Sequence, residues 1–373
     1  MRICYLAAAE SIHTRRWLKF FAERGHEVSL ISLGITENET LGNINLYTLK
    51  TVPPQLRVIS RFPNLLTNMI QTRCLIKELN PDLLHAHFIT NYGKLGLLSG
   101  FHPFVVSAWG SDILVDSKRS GGAKWMTRQV LRKADLITCD GQNTGREMME
   151  LGANCDKIVL VLHGVNLAEF NPARNDETLR NDLQISDSPV VACFTSSLHP
   201  KYDVETLIRS IPLVLEQVPR AKFLITGEGE QLDMLMNLAK VLDIQDSVRF
   251  VGKLPHDRLP YYLTLADVFV RIPLSEGGIA VGLLEAMACG VAPIVTDVGD
   301  YRSWIRNGEN GFVIPVRNQK ELADRIIRLL GDEHLRRNME NINLELVKER
   351  ADYEREMRKM EGLYEGLIGG KKK

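Results

Sequence analysis

Short apolar runs of strand character recur at residues 2–6, 27–32, 83–87, 104–107 and 136–139, with helix-like segments between most of them. Strands joined by helical crossovers pair in parallel, and a parallel sheet needs helices on its faces, so the alternation predicts a doubly wound α/β unit. From residue 158 to 188 the pattern loosens into the polar run VLHGVNLAEFNPARNDETLRNDLQISDS, which carries Pro172 and reads as a linker. A second alternating series follows at residues 190–194, 222–226, 247–251, 268–271, 292–296 and 312–314. The chain has 373 residues, more than one hydrophobic core usually serves, so two such domains in tandem are expected. Their expected bounds are residues 1–170 and 171–350, with a charged helical segment at residues 351–373 that ends GGKKK, packs back across a domain and frays at its tip. Open parallel sheets bind ligands beyond the carboxyl ends of their strands, and two facing domains would enclose a cleft.

The charge balance removes one class of function. Lys and Arg number 46, as do Asp and Glu, which argues against a nucleic-acid binder held by phosphate neutralisation. Cys4, Cys74, Cys139, Cys155, Cys193 and Cys289 are scattered, with no CxxC pair and no His at zinc-ligand spacing. They read as thiols of a reducing compartment. The start, MRICYLAAAESIHTRRW, reads as a first strand and not a signal peptide. No apolar run reaches the length of about 18 residues that a membrane span needs. A cytoplasmic protein, soluble or attached to the inner face of a membrane, is the expectation.

The densest chemistry lies in residues 275–293, SEGGIAVGLLEAMACGVAP, where a carboxylate, a glycine turn and a short helix follow one another. The first turn of a helix leaves backbone N–H groups unpartnered and carries partial positive charge, so it favours anions and above all phosphate. Gly277 and Gly278 let main chain approach a ligand closely. Glu285 sits mid-helix among apolar neighbours, either facing solvent or holding a ligand's hydroxyls.

The run LLEAMACGVAPIVTDVGDYRSWIRNGENGFVIP, together with RGHEVSLIS, PDLLHAHF, WGSDIL and VETLIRSIPLVLEQVPRAKFLITGEGEQ, resembles the GT-B glycosyltransferases of the family 4 type. The similarity spans nearly the whole chain in the family's order. It implies two Rossmann-like domains facing across a cleft, the first for the acceptor and the second for a nucleotide diphosphate sugar. The implied reaction is hexose transfer to an acceptor hydroxyl, with retention of configuration and without a metal or resident cofactor, in glycan or glycolipid synthesis. UDP-linked donors are favoured over GDP-linked ones.

Family members carry two glutamates separated by seven residues, the first contacting the donor sugar and the second the ribose. Glu285 matches the second; Glu276 is displaced by one residue, and the strictly spaced position is Gly277. Either an insertion in the turn lets Glu276 serve, or the backbone of Gly277 and Gly278 recognises the sugar alone. By resemblance, the amides near Ala280, Val281 and Gly282 cradle the diphosphate, and Gly227 of the GEGE turn belongs to the donor site. The family's basic pair falls on FTSSLHPKYD, where Ser196 or Ser197 replaces the arginine and Lys201 is near the lysine position. Lys201 is the first candidate for the cation and Arg271 the reserve, each weighed against an ordinary solvated charge; His199 is more readily structural.

In the first domain Ala8 and Ala9 replace a glycine pair common in relatives, and Ser11 is placed to cap the following helix. His13 stands about where relatives have a histidine near the acceptor, and His87 ends a strand aimed at the same cleft, whereas His85 is equally well a core residue. Trp109 stands where many relatives carry an active-site histidine; it moves no proton and would offer a stacking wall. Asp112 is a polar contact or a helix cap.

A GxGxxG turn after the first strand is missing, which argues against a nicotinamide enzyme. Lys118, Arg119, Lys124, Arg128, Arg132 and Lys133 surround Trp125 and Met126 with no acid between, a pattern for an anionic lipid surface or for an ordinary wet helix face. The competing functions are an epimerase or hydrolase of the same fold and a non-catalytic partner subunit.

Overall fold

The computed structural model describes residues 1–34, 42–49, 62–174, 176–185 and 187–370. The final lysines of the tail, where fraying was expected, lie outside the described residues. The chain forms two compact units: Met1–His163 together with the segment from Arg355, and Gly164–Glu354.

The first unit holds a seven-stranded sheet built from β1 (Arg2–Leu6), β2 (Glu27–Ser32), β3 (Asn45–Thr48), β4 (Leu83–His87), β5 (Phe104–Ala108), β6 (Leu136–Cys139) and β7 (Ile158–Leu160). Their order is β3-β2-β1-β4-β5-β6-β7, every pair parallel. Two strands fall outside the runs read as strands from the sequence. β3 is a partly exposed edge strand without an apolar run. β7 lies at the start of the stretch expected to be a linker, where Val159 pairs with Thr138 of β6. The unit boundary accordingly falls at His163, ahead of the residue-170 boundary read from the sequence.

The second unit holds β8 (Val190–Ser197), β9 (Lys222–Glu228), β10 (Val248–Gly252), β11 (Val268–Arg271), β12 (Ala292–Thr296) and β13 (Phe312–Ile314), in the order β10-β9-β8-β11-β12-β13. The central strands are buried on both faces, which is why they read as unbroken apolar runs. Helix Val204–Gln217 lays Val204, Leu207, Ile208, Ile211 and Val214 onto the sheet at helical spacing, against Phe223, Val270 and Ile294. In each sheet the strand order reverses once, between β1 and β4 and between β8 and β11. The loops leaving those strands diverge there and leave room for a ligand.

Candidate active site

In the second unit the reversal point brings together the loops after β8 and β11. Lys201 follows β8, on a short turn that His199 caps by accepting from the Lys201 amide at 3.1 Å. Arg271 is the last residue of β11, and Glu276 lies five residues on. The Leu274 amide donates to the Lys201 carbonyl at 2.8 Å, so the two loops are tied main chain to main chain. Glu276 accepts from Arg271 on Oε2 at 3.1 Å and from Lys201 on Oε1 at 3.5 Å. Arg271 is largely buried, and its Nε donates to the Tyr301 hydroxyl at 2.9 Å. Burial works against its charge, but Tyr301 and Glu276 outweigh that and hold the guanidinium above its ordinary range. Burial likewise raises the Tyr301 phenol, against the pull of Arg271, so Tyr301 keeps its proton.

The glycine turn is supported from below. Gly299 has φ +56°, and a Cβ there would meet the Gly278 carbonyl at 2.9 Å and the Glu276 carbonyl at 3.0 Å. Helix Val281–Ala288 begins directly after the turn at Ala280, and no side chain caps its first amides. Val281 and Gly282 thus present the N–H groups expected of an anion cradle. Glu285, on the same helix, is 3% exposed, which overturns the reading of an ordinary solvated glutamate. Its Oε1 lies 2.8 Å from His256 Nε2, and the His256 ring packs on Phe170. Nothing in the sequence singled out His256, a lone loop histidine 29 residues from its partner.

Gly227 has φ +110°, and the space a Cβ would fill holds the Thr195 carbonyl at 2.6 Å. It is therefore needed for close approach of the β8 and β9 ends, whatever its backbone does for a ligand. The Ser197 amide is turned onto Thr195 Oγ1 at 3.3 Å.

The residues of the first unit that the sequence reading set on the acceptor side lie near the ends of β1, β4 and β5. Ser11 caps helix Ile12–Glu23 by accepting from the Thr14 amide. Two residues after the cap, the His13 ring stacks on His163 at 4.3 Å and stands edge-on to Trp109 at 6.0 Å. Two expectations are corrected. Asp112 is fully buried, and its oxygens accept from the Ile89 amide at 2.7 Å and the Trp109 amide at 3.0 Å. It braces the Trp109 loop and has no surface for an acceptor; burial, opposed by these amides, raises its carboxyl to about 6. His87 is 1% exposed, enclosed by Tyr5, Trp17, His85 and Trp109, with Nδ1 3.3 Å from the Thr14 hydroxyl. It lies behind Trp109, not at a contact surface. Strand alternation explains this, since His85 and His87 share one face of β4. His163, which the sequence did not flag, completes the His13 and Trp109 cluster.

This histidine cluster makes a pH prediction. Burial lowers the His85 ring to about 3 and drives His87 and His163 well below their ordinary value, with neighbouring imidazoles adding to the shift for His87 and His163. A folded-state pKa below the unfolded one means the unfolded chain binds more protons from about pH 6.5 downward, so stability falls as pH falls. Each such ring contributes a slope of about 1.4 kcal/mol per pH unit in that window. Urea midpoints for the first unit are expected to drop steeply between pH 7 and 5, and His85→Gln to flatten the slope. A midpoint constant over that range would refute the account.

Residues 175–345 match the family described as Glycosyl transferases group 1, and residues 2–141 the family described as Glycosyl transferase 4-like. The chain belongs to the GT-B glycosyltransferases of the family 4 type and is a transferase enzyme. It is 25% identical over 362 residues, 94% of this chain and 92% of the other, to N-acetyl-alpha-D-glucosaminyl L-malate synthase of Bacillus anthracis. A GDP-mannose-dependent phosphatidylinositol monomannoside mannosyltransferase of Mycobacterium tuberculosis is 29% identical over 56% of each chain. HepE of Anabaena, solved with UDP, superposes with TM-score 0.81 over 98% of this chain and 100% of that one, at 16% identity. Sucrose-phosphate synthase of Thermosynechococcus elongatus gives 0.82 over 99% and 100%, at 20% identity. These last two likenesses concern the fold.

Proposed function

We propose that this enzyme moves a hexose-type sugar from a nucleotide diphosphate donor, UDP-linked before GDP-linked, to an acceptor hydroxyl, with retention of configuration and no metal. The observation that carries the reading is Glu285: a buried carboxylate on a helix whose first amides are uncapped by side chains, next to a turn where two cations meet Glu276. Uncapped amides and cations suit a leaving diphosphate that gains charge as the glycosidic bond breaks. A carboxylate one to two helical turns away suits ribose hydroxyls, and Glu276 suits those of the sugar. The HepE structure with UDP supports a uridine donor, and the mannosyltransferase relative supports a guanosine donor as the next choice. His13, His163 and Trp109 of the first unit are assigned to the acceptor, with Trp109 as a stacking surface. Calorimetric titration of UDP- and GDP-sugars tests the donor: saturable binding to one class is expected, and no binding to either would refute the reading. Donor turnover without acceptor would instead indicate a hydrolase or epimerase.

The acceptor is proposed to be lipid-linked. No described helix is long and apolar enough to cross a membrane. Helix Gly121–Lys133 exposes Trp125 at 59% beside exposed Lys124 and Arg128, and Val115 nearby is 54% exposed. Lys118 and Arg119 are less available, since they pair with Glu147 and Asp116 at 2.9 Å each. Trp125→Ala/Arg128→Ala is expected to cut co-flotation with phosphatidylglycerol vesicles several-fold, while wild type floats. Wild-type protein that stays off such vesicles at low salt would rule the surface out.

A further inference from the structure

We propose that Arg271 supplies the second cation on the donor's diphosphate, moved from the loop after β8 to the end of β11. The assignment rests on the reading of this unit as the nucleotide-sugar site.

Ser197 stands at or beside the place where the family resemblance sets an arginine, so one positive charge is missing from the β8 loop. β8 and β11 are neighbours, and their carboxyl ends flank the point where strand order reverses. A cation at the end of β11 therefore reaches the same space as one at the end of β8. The side chains agree. The Arg271 guanidinium and the Lys201 ammonium lie 5.5 Å and 5.6 Å from the centroid of one ring, that of Tyr202. Each also holds one oxygen of Glu276, so two cations already converge on a single anion.

A structural ion pair explains this less well. One carboxylate would neutralise Arg271 alone; with Lys201 added, whose side chain is 36% exposed, these three side chains carry a net positive charge around a largely buried guanidinium. Such a charge is unfavourable there unless an anion compensates it. A guanidinium has five N–H groups, and the contacts to Tyr301 and Glu276 use two. Arg271 is thus built to hold Glu276 in place while offering further donors to phosphate oxygens, with Tyr301 fixing its direction.

The test compares nucleoside diphosphate with the matching monophosphate, UDP with UMP or GDP with GMP, by calorimetry. The proteins are wild type, Arg271→Gln, Arg271→Lys and Arg271→Gln/Ser197→Arg, each also melted thermally. Arg271→Gln is expected to weaken the diphosphate by a factor of about 30 and the monophosphate by about 3 or less, and to lower kcat about 100-fold. Arg271→Lys falls between, and Ser197→Arg returns part of the loss. The diphosphate effect is also expected to persist in a Glu276→Gln background. Equal weakening of both nucleotides, no weakening, or loss of the effect in that background would overturn the assignment and leave Arg271 as a positioning residue for Glu276. If Arg271→Gln does not fold, Arg271→Lys against wild type makes the same comparison. Wild type that binds no nucleotide at all overturns the donor-site reading itself, and this assignment with it.

Discussion

Glu285→Ala is expected to weaken nucleotide-sugar binding by a factor of 100 or more, to about 10,000, with little loss of stability. Hydrogen bonds to a charged group contribute about 1.5–3 kcal/mol each, and a carboxylate spanning two vicinal hydroxyls makes two. The helix around Glu285 is buried almost throughout, through Leu283, Leu284, Ala286, Met287 and Ala288. A carboxylate in such company loses hydration, and His256 is the partner seen on one oxygen. An alanine there would sit among its neighbours without that desolvation. The position therefore costs the fold something, which points to a ligand as the reason for it. His256→Ala is expected to have a smaller effect, about tenfold, because it leaves the acceptor oxygens in place but frees their orientation. The isosteric Glu285→Gln separates charge from shape and should fall between. Calorimetry and thermal melts of the same samples decide the matter. Unchanged affinity in Glu285→Ala would remove this residue from the donor site, and a collapse in melting temperature would make its role structural.

The parts of the molecule that were legible in the sequence share a physical cause. Central strands of a parallel sheet are buried on both faces, so β1, β4, β8, β11 and β12 appear as apolar runs bounded by turns. The partly exposed edge strand β3 lacks that signal, and the apolar run that forms β7 was taken into the linker because polar residues follow it. The glycine turn and its helix were readable because the chemistry is contiguous. What could not be read was depth and distance. His87 was read at the end of its strand and Asp112 in the segment after the next one, yet sequence does not show that one is walled in by aromatic rings and the other by backbone amides. Arg271 was visible only as a charge beside the turn, and its convergence with Lys201 on Glu276 depends on the adjacency of β8 and β11. Likewise, the His256 contact to Glu285 requires a loop and a helix that only the fold brings together.

The longest-range of these hidden contacts leads to the largest expected effect on stability. Tyr5 of β1, His85 of β4, Ser107 of β5 and Thr138 of β6 are buried polar residues on adjacent strands, an arrangement that would be unfavourable without partners. The C-terminal helix Tyr353–Gly370 supplies one. The Tyr364 hydroxyl meets His85 Nδ1 and lies 3.2 Å from the Tyr5 hydroxyl; His85 Nε2 continues to Ser107 Oγ at 2.7 Å, and Ser107 to Thr138 Oγ1 at 2.6 Å. The Tyr364 ring packs on Phe21 at 5.1 Å, and one turn earlier Glu361 accepts from Arg24 Nε at 2.9 Å and lies 2.7 Å from His26 Nε2. Truncating a fully buried aromatic costs about 3–5 kcal/mol, and Tyr364→Ala also strands the Tyr5 and His85 groups. Tyr364→Phe keeps the ring and isolates the second contribution, about 1–3 kcal/mol. Removing residues 355–373 deletes the helix's hydrogen bonds and its packing together. That loss is comparable with the whole stability of an ordinary domain, about 5–15 kcal/mol, so the first unit is expected not to fold. Urea titration of the two point variants, with limited proteolysis of the truncated chain, measures this. A truncated chain as resistant as wild type would mean that the polar sheet face is satisfied without the helix.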